Sequence, residues 1–136
     1  MRKSMLIVLA IVATFVVAGC GGSGLTGKAW QLTAITEQVP AFQGVVPEAD
    51  QTRYTITFNS DGTYNALADC NNMNGNYTTT GTGGMTIEPG AMTMMACPEG
   101  SMADMYVAAL LSTESYAIAN GALTLTTTAG GTLVFN

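Results

Sequence analysis

The sequence predicts a mainly β fold, a small antiparallel β-barrel-like domain with one short α-helix at about residues 101–112. Three observations carry this. Nineteen threonines follow residue 20, among Tyr, Val and Ile, and β-branched and aromatic side chains suit pleated, half-buried surfaces. Apolar and polar residues alternate in several short runs. Turn signals separate those runs at regular spacing, as in a sandwich or small barrel.

The elements follow in order. Trp30, Leu32 and Ala34 share one face of a first strand, with Gln31 and Thr33 on the other. Tyr54, Ile56 and Phe58 alternate with Arg53, Thr55 and Thr57 in a second. Asn59-Ser60-Asp61-Gly62 then reads as a hairpin turn, because Asp-Gly supplies positive φ angles. The return strand, Thr63 to Ala68, puts Tyr64, Ala66 and Ala68 on one side. Near the C-terminus, Tyr116 and Ile118 lead through Asn120-Gly121 to Leu123 and Leu125. Ala129-Gly130-Gly131 turns the chain again into Leu133 and Phe135.

One segment changes period. Met102, Met105, Tyr106, Ala109 and Leu110 fall at helical spacing, an apolar stripe that suits core filler. Ser101 with Asp104 three residues on resembles a capping arrangement, and Pro98 stands just outside it. Two stretches read as irregular. Glu37 to Gln51, with Pro40 and Pro47, is a long loop: a plain barrel-crossing connection, or a lid or partner contact using Phe42, Val45 and Val46. The cluster Asn71, Asn72, Asn74 and Asn76 reads as a tight connection, since Asn side chains mimic turns. With Asp69 these amides can offer oxygen ligands to calcium, but the D-x-[DN]-x-[DN]-G order is lacking.

The N-terminus reads as an address. Arg2 and Lys3 precede Met5 to Val17, an apolar run broken only by Thr14 and too short for the ~20 residues of a spanning helix. Val17-Ala18-Gly19-Cys20 resembles the lipobox of bacterial lipoprotein signal peptides. That resemblance implies a signal peptide over residues 1–19 and a diacylglyceryl group on Cys20. Residues 20–25 then form a lipidated N-terminus with a Gly/Ser tether, and 26–136 the folded domain. More than one acyl chain meets the requirement for stable anchoring. Gly21 stands where many Gram-negative lipoproteins carry an inner-membrane retention Asp, so in such a host the outer membrane, facing the periplasm, is expected.

Setting Cys20 aside leaves Cys70 and Cys97, an even pair in an oxidising compartment. A structural disulfide is expected. The other readings are buried free thiols, half a zinc site without its remaining ligands, or a redox pair without C-x-x-C spacing.

Composition excludes several functions. Histidine is absent, which removes imidazole bases, Ser-His-Asp and Cys-His catalysis and histidine metal sites. Four basic residues against nine acidic ones argue against nucleic acid. After residue 19, only Lys28 and Arg53 oppose nine acids, a formal charge of −7. Asp61 suits a turn and Asp104 a helix start, leaving Asp69 and Glu88 with no spacing that pairs them as acid and base. No catalytic residue, cofactor or metal site is therefore assigned, and the chain reads as a non-enzymatic monomer.

An ordered series of motifs points to a family. Trp30-x-Leu32, Tyr54-Thr-Ile-Thr-Phe-Asn-Ser-Asp-Gly62, Cys70-Asn71 and Gly75-x-Tyr77 are followed by Met92-Thr-Met-Met-Ala-Cys97, the helix, Tyr116-x-Ile118, Leu123-x-Leu125 and Leu133-Val-Phe135. Together they resemble the META domain, the HslJ-like family of bacterial envelope lipoproteins, over about Leu25 to Asn136. The resemblance implies a β-barrel-like domain with one helix and links to heat shock and novobiocin resistance, with no established enzymatic activity. Asp69 departs from the glycine usual before the first cysteine, so the turn at Cys70 is expected to differ. An acidic body on a tether suits docking to a basic exported protein, including inhibition of an exported enzyme. Capture of a small apolar ligand in the barrel is the other expectation.

Overall fold

The computed structural model describes residues 24–136. The predicted signal peptide over 1–19, the Cys20 lipidation site and tether residues 21–23 lie outside the described residues. Nine strands and one α-helix follow in chain order: β1 (Ala29–Gln38), β2 (Ala41–Val45), β3 (Tyr54–Phe58), β4 (Thr63–Ala68), β5 (Asn71–Thr79), β6 (Met85–Ile87), α1 (Ala103–Leu111), β7 (Thr113–Ala119), β8 (Ala122–Thr127) and β9 (Thr132–Phe135). A 3-10 helix over Glu48–Arg53 joins β2 to β3.

Eight strands curl into a nearly closed antiparallel barrel in the order β6-β5-β4-β3-β1-β9-β8-β7, while β2 pairs only with β1. The seam between β6 and β7 is short. It is made by an antiparallel bridge between Gly84 and Ser115 and by the Tyr116 amide donating to Gly83 O at 2.9 Å. Pairing with oppositely directed neighbours satisfies the backbone donors that an open sheet edge would leave free.

Alternation fills the interior. Tyr54, Ile56 and Phe58, then Tyr64, Ala66 and Ala68, then Leu123, Leu125, Leu133 and Phe135 are all buried, as their spacing predicts. Burying each of the larger apolar side chains stabilises the fold by roughly 1.5–3 kcal/mol. The barrel lumen is therefore packed with side chains.

In β1 the expected phase breaks. A register shift between Leu32 and Ala34 moves Ile35 inside, fully buried, and leaves Ala34 at the surface boundary. An extra residue on one strand reverses which side chains face the core. Leu25, which the sequence places in the tether, is also a core residue, and its carbonyl accepts the Trp30 indole N–H at 2.8 Å.

The helix covers one end of the barrel. Ala103, Tyr106, Ala109 and Leu110 form its buried face, and Tyr106 packs edge-on against Tyr54, with ring centroids 5.8 Å apart. Its bounds fall within the expected 101–112. Ser101 sits one residue before the cap position, its hydroxyl accepting from the Ala103 amide at 3.2 Å.

The long loop expected over Glu37–Gln51 is instead mostly ordered. β1 runs on to Gln38, turns through a cis Val39–Pro40 peptide and pairs back with β2 from Gln38–Ala41 to Ala34–Val45. Val46, expected at the surface, is buried, while Val45 is exposed. The asparagine cluster is likewise a strand. β5 pairs with β4 from Ala68–Asn71 to Thr63–Asn76, burying Asn71 and Met73 and turning Asn72 and Asn74 outward.

Candidate functional site

Features that can meet another molecule gather at the end of the barrel beneath α1. The start of β3, the end of β4 and the N-terminus of α1 converge there, and the Met102 amide donates to the Tyr54 hydroxyl at 3.0 Å. Chain direction places the β1–β2 hairpin beyond the same end, because β1 passes its pairing with β3 at Ala29–Gln31 before reaching β2.

A groove of about 340 Å³ lies between the hairpin tip and α1. Val39, Pro40, Phe42, Met105 and Ala108 line it, with Glu37 at hand. Val39 is 80% exposed at the hairpin tip, beside Phe42 and Met105 of the groove. A second cleft of about 320 Å³ holds Val45, Asp50, Arg53 and Glu99, and a third of similar size holds Met95, Cys97 and Asp104. Four acids, Glu37, Asp50, Glu99 and Asp104, thus line the three clefts, with Arg53 the only cation among the lining residues.

The floor of this end is an ion pair on a left-handed turn. Asp69 has a φ of 57°, the left-handed region that glycine enters freely and aspartate less readily. Its amide donates to Arg53 O at 2.7 Å, and Arg53 bonds back to its carboxylate and to Asp50. Burial alone would push the Asp69 carboxyl up. The nearby Ser101 hydroxyl and the Arg53 guanidinium outweigh it and hold the group below its ordinary value. Asp69 Oδ2 nevertheless has no partner at full hydrogen-bond geometry among the described residues.

Cys70 and Cys97 form the disulfide that their parity predicts, tying the start of β5 to the segment before α1. Asn71 completes the fastening. Its amide group donates to Met95 O at 2.9 Å and accepts from Met95 N at 2.7 Å, pairing with that residue's backbone as a neighbouring strand would. Its oxygen also accepts the Thr93 hydroxyl at 3.0 Å. Asn71 is thus committed to protein partners, as is Asp69 Oδ1, which Arg53 holds. No group of three or more Cys, Asp or Glu side chains forms a metal-binding cluster among the described residues.

Asp69 and Glu88 do not meet as an acid–base pair. Asp69 follows the end of β4, whereas the Glu88 amide bonds Asn76 O, opposite Thr63 at that strand's start. Asp61 serves the β3–β4 turn, accepting from the Thr63 amide and hydroxyl at 2.9 and 2.6 Å. Sequence reasoning missed the groove because it counted Met105 as core filler. The one available signal was Phe42 and its valine neighbours in a proline-bearing segment. Nothing in the sequence pairs Arg53 with Asp69, sixteen residues apart.

A model of the META domain matches residues 23–136, which takes in every described residue. Among solved structures, the fold is similar to an NMR structure of a protein from Burkholderia xenovorans, 25% identical, with a TM-score of 0.62 over 82% of each chain. It is also similar to a DUF4847 family protein from Bacteroides vulgatus, 14% identical, with a TM-score of 0.58 over 82% of this chain and 92% of that one. No curated protein matches the chain.

Proposed function

This chain belongs to the META domain family, and from that membership we propose a non-catalytic binding module, anchored in a bacterial envelope by lipid on Cys20. The observation that carries the binding role is the apolar groove between Val39, Phe42 and Met105. Acids line it and its neighbouring clefts, so the fitting partner is an exported protein whose apolar segment is flanked by Lys or Arg. Contact there serves envelope maintenance under stress such as heat or antibiotic challenge, or inhibits an exported enzyme. A small apolar ligand fits the groove better than the lumen, which side chains fill. In a two-membrane host the address at Cys20-Gly21 puts the domain on the outer membrane, facing the periplasm.

Two experiments test this reading. Cys20→Ala should release the protein from membranes into the soluble envelope fraction, and continued membrane retention would remove the lipid anchor from the proposal. For binding, the mature protein and its Val39→Asp variant are compared in pull-downs from the host envelope. The expected outcome is a partner held by the wild type, eluted by high salt and lost with the variant. Equal recovery by both proteins, or recovery indifferent to salt, overturns the groove as the docking site for a basic partner.

A further inference from the structure

Methionine is by habit a core residue, and this domain mostly follows the habit. Met73 and Met85 are buried, and Met92, Met102 and Met105 pack partly against the core. Met94 and Met95 break the pattern, at 82% and 64% exposure.

Their backbone is far from loose. Asn71 grips the Met95 peptide from both sides, the Thr93 amide donates to Asn72 O at 3.0 Å, and Met73 and Met92 form a bridge. The Cys70–Cys97 disulfide closes the segment two residues later. None of these bonds uses a methionine sulfur, so the loop holds its path whatever happens to the two thioethers. Both remaining cysteines are already oxidised, which leaves Met94 and Met95 as the most accessible reduced sulfur among the described residues.

We propose that Met94 and Met95 form an oxidation site that takes up two-electron oxidants of the peroxide class while leaving the fold intact. In each event a sulfur lone pair takes one oxygen from hydrogen peroxide, the O–O bond breaks, and water leaves. Sulfur is oxidised by two electrons to the sulfoxide and the peroxide is reduced by two. The chain consumes two equivalents in this way. The product replaces an apolar surface beside the disulfide with a polar one, on a backbone that does not rearrange.

The test uses the mature protein in mild detergent, exposed to graded hydrogen peroxide and read by peptide mass spectrometry together with thermal unfolding. Met94 and Met95 should gain oxygen at least about tenfold faster than Met73 and Met85, following exposure. With two oxygens per chain the unfolding midpoint should stay unchanged. Met94→Leu/Met95→Leu should lack the two fast oxygens and unfold at the same temperature as the parent. Oxidation of the buried methionines at comparable rates, or a lower midpoint at the two-oxygen stage, overturns the proposal.

Discussion

Arg53 and Asp69 meet through one carboxylate oxygen, with Nε at 2.8 Å and Nη2 at 2.6 Å both donating to Oδ1. Arg53 is half-exposed while the Asp69 side chain is almost entirely buried, so the guanidinium closes the solvent side of a turn it also bonds through its own carbonyl. The left-handed Asp69 thus carries its charge against a cationic partner.

Separate substitutions at Asp69 distinguish backbone from charge. Asp69→Gly loses the ion pair but relieves the left-handed turn of its Cβ; Asp69→Ala loses the pair and keeps that Cβ, which costs about 1–2 kcal/mol in this conformation. Thermal unfolding should rank wild type above the glycine variant and the glycine variant above the alanine one. An alanine variant as stable as the glycine variant would show that the turn relaxes freely.

Acid should weaken the domain through the same residue. The folded-state carboxyl of Asp69 lies below its ordinary value, and that of Asp61 does too, through the Thr63 hydroxyl and then its amide. The unfolded chain therefore binds more protons over this window. Its stabilising contribution is complete above the ordinary carboxylate pKa of about 3.9 and disappears as pH falls through the lower folded value. Unfolding midpoints measured from neutral pH downward should fall less steeply for Asp69→Asn than for the wild type.

Tyr106 carries a buried hydroxyl with no hydrogen-bond partner among the described residues, and burial pushes its pKa well up. Tyr106→Phe keeps the ring contacts with Tyr54 and Phe135 and removes an unsatisfied group, so stability should hold or rise by up to about 1 kcal/mol. Tyr106→Ala should cost about 3–5 kcal/mol by leaving a cavity beneath α1. A marked loss in the phenylalanine variant would mean that the hydroxyl is bonded after all.

The disulfide closes 27 residues of chain. Replacing both cysteines with serine should lower stability by about 3.5 kcal/mol in the chain-entropy account. Denaturant melts of oxidised, reduced and double-serine protein should place the last two together.

Gly90 lies against β5, where an added Cβ would collide with Asn74 O. Gly90→Ala must push the two segments apart, at about 1–3 kcal/mol. Gly81→Ala, with nothing within 4 Å of the new atom, serves as the control and should change the midpoint little.

Alternation made β3, β4, β8 and β9 legible, because in each a fully buried face opposes a half-exposed one. The helix was legible from its change of period. What hid β5 was chemistry: its asparagines carry a turn-like composition, yet Asn71 faces inward and spends its amide on Met95. The bulge that exchanges Ala34 for Ile35 leaves no mark in composition. The hairpin of β1 with β2 was masked by Pro40, which sits in the turn and so interrupts neither strand. Of the candidate site, the cysteines were readable by count. The groove and the Arg53–Asp69 pair depend on contacts between distant segments, which no local pattern records.

Leu25 is fastened to Trp30, and Thr26 bridges to Phe58 at the far end of β3 from Tyr54. The tether side and the α1 side are therefore opposite poles of the barrel. If the chain is held at Cys20 as proposed, the tether pole is the foot of the body, and the groove and Met94 lie at its head. The ten residues of β1 span roughly 30 Å between them. Under the anchoring proposed at Cys20, a partner meets the groove from the side of the barrel away from the tether.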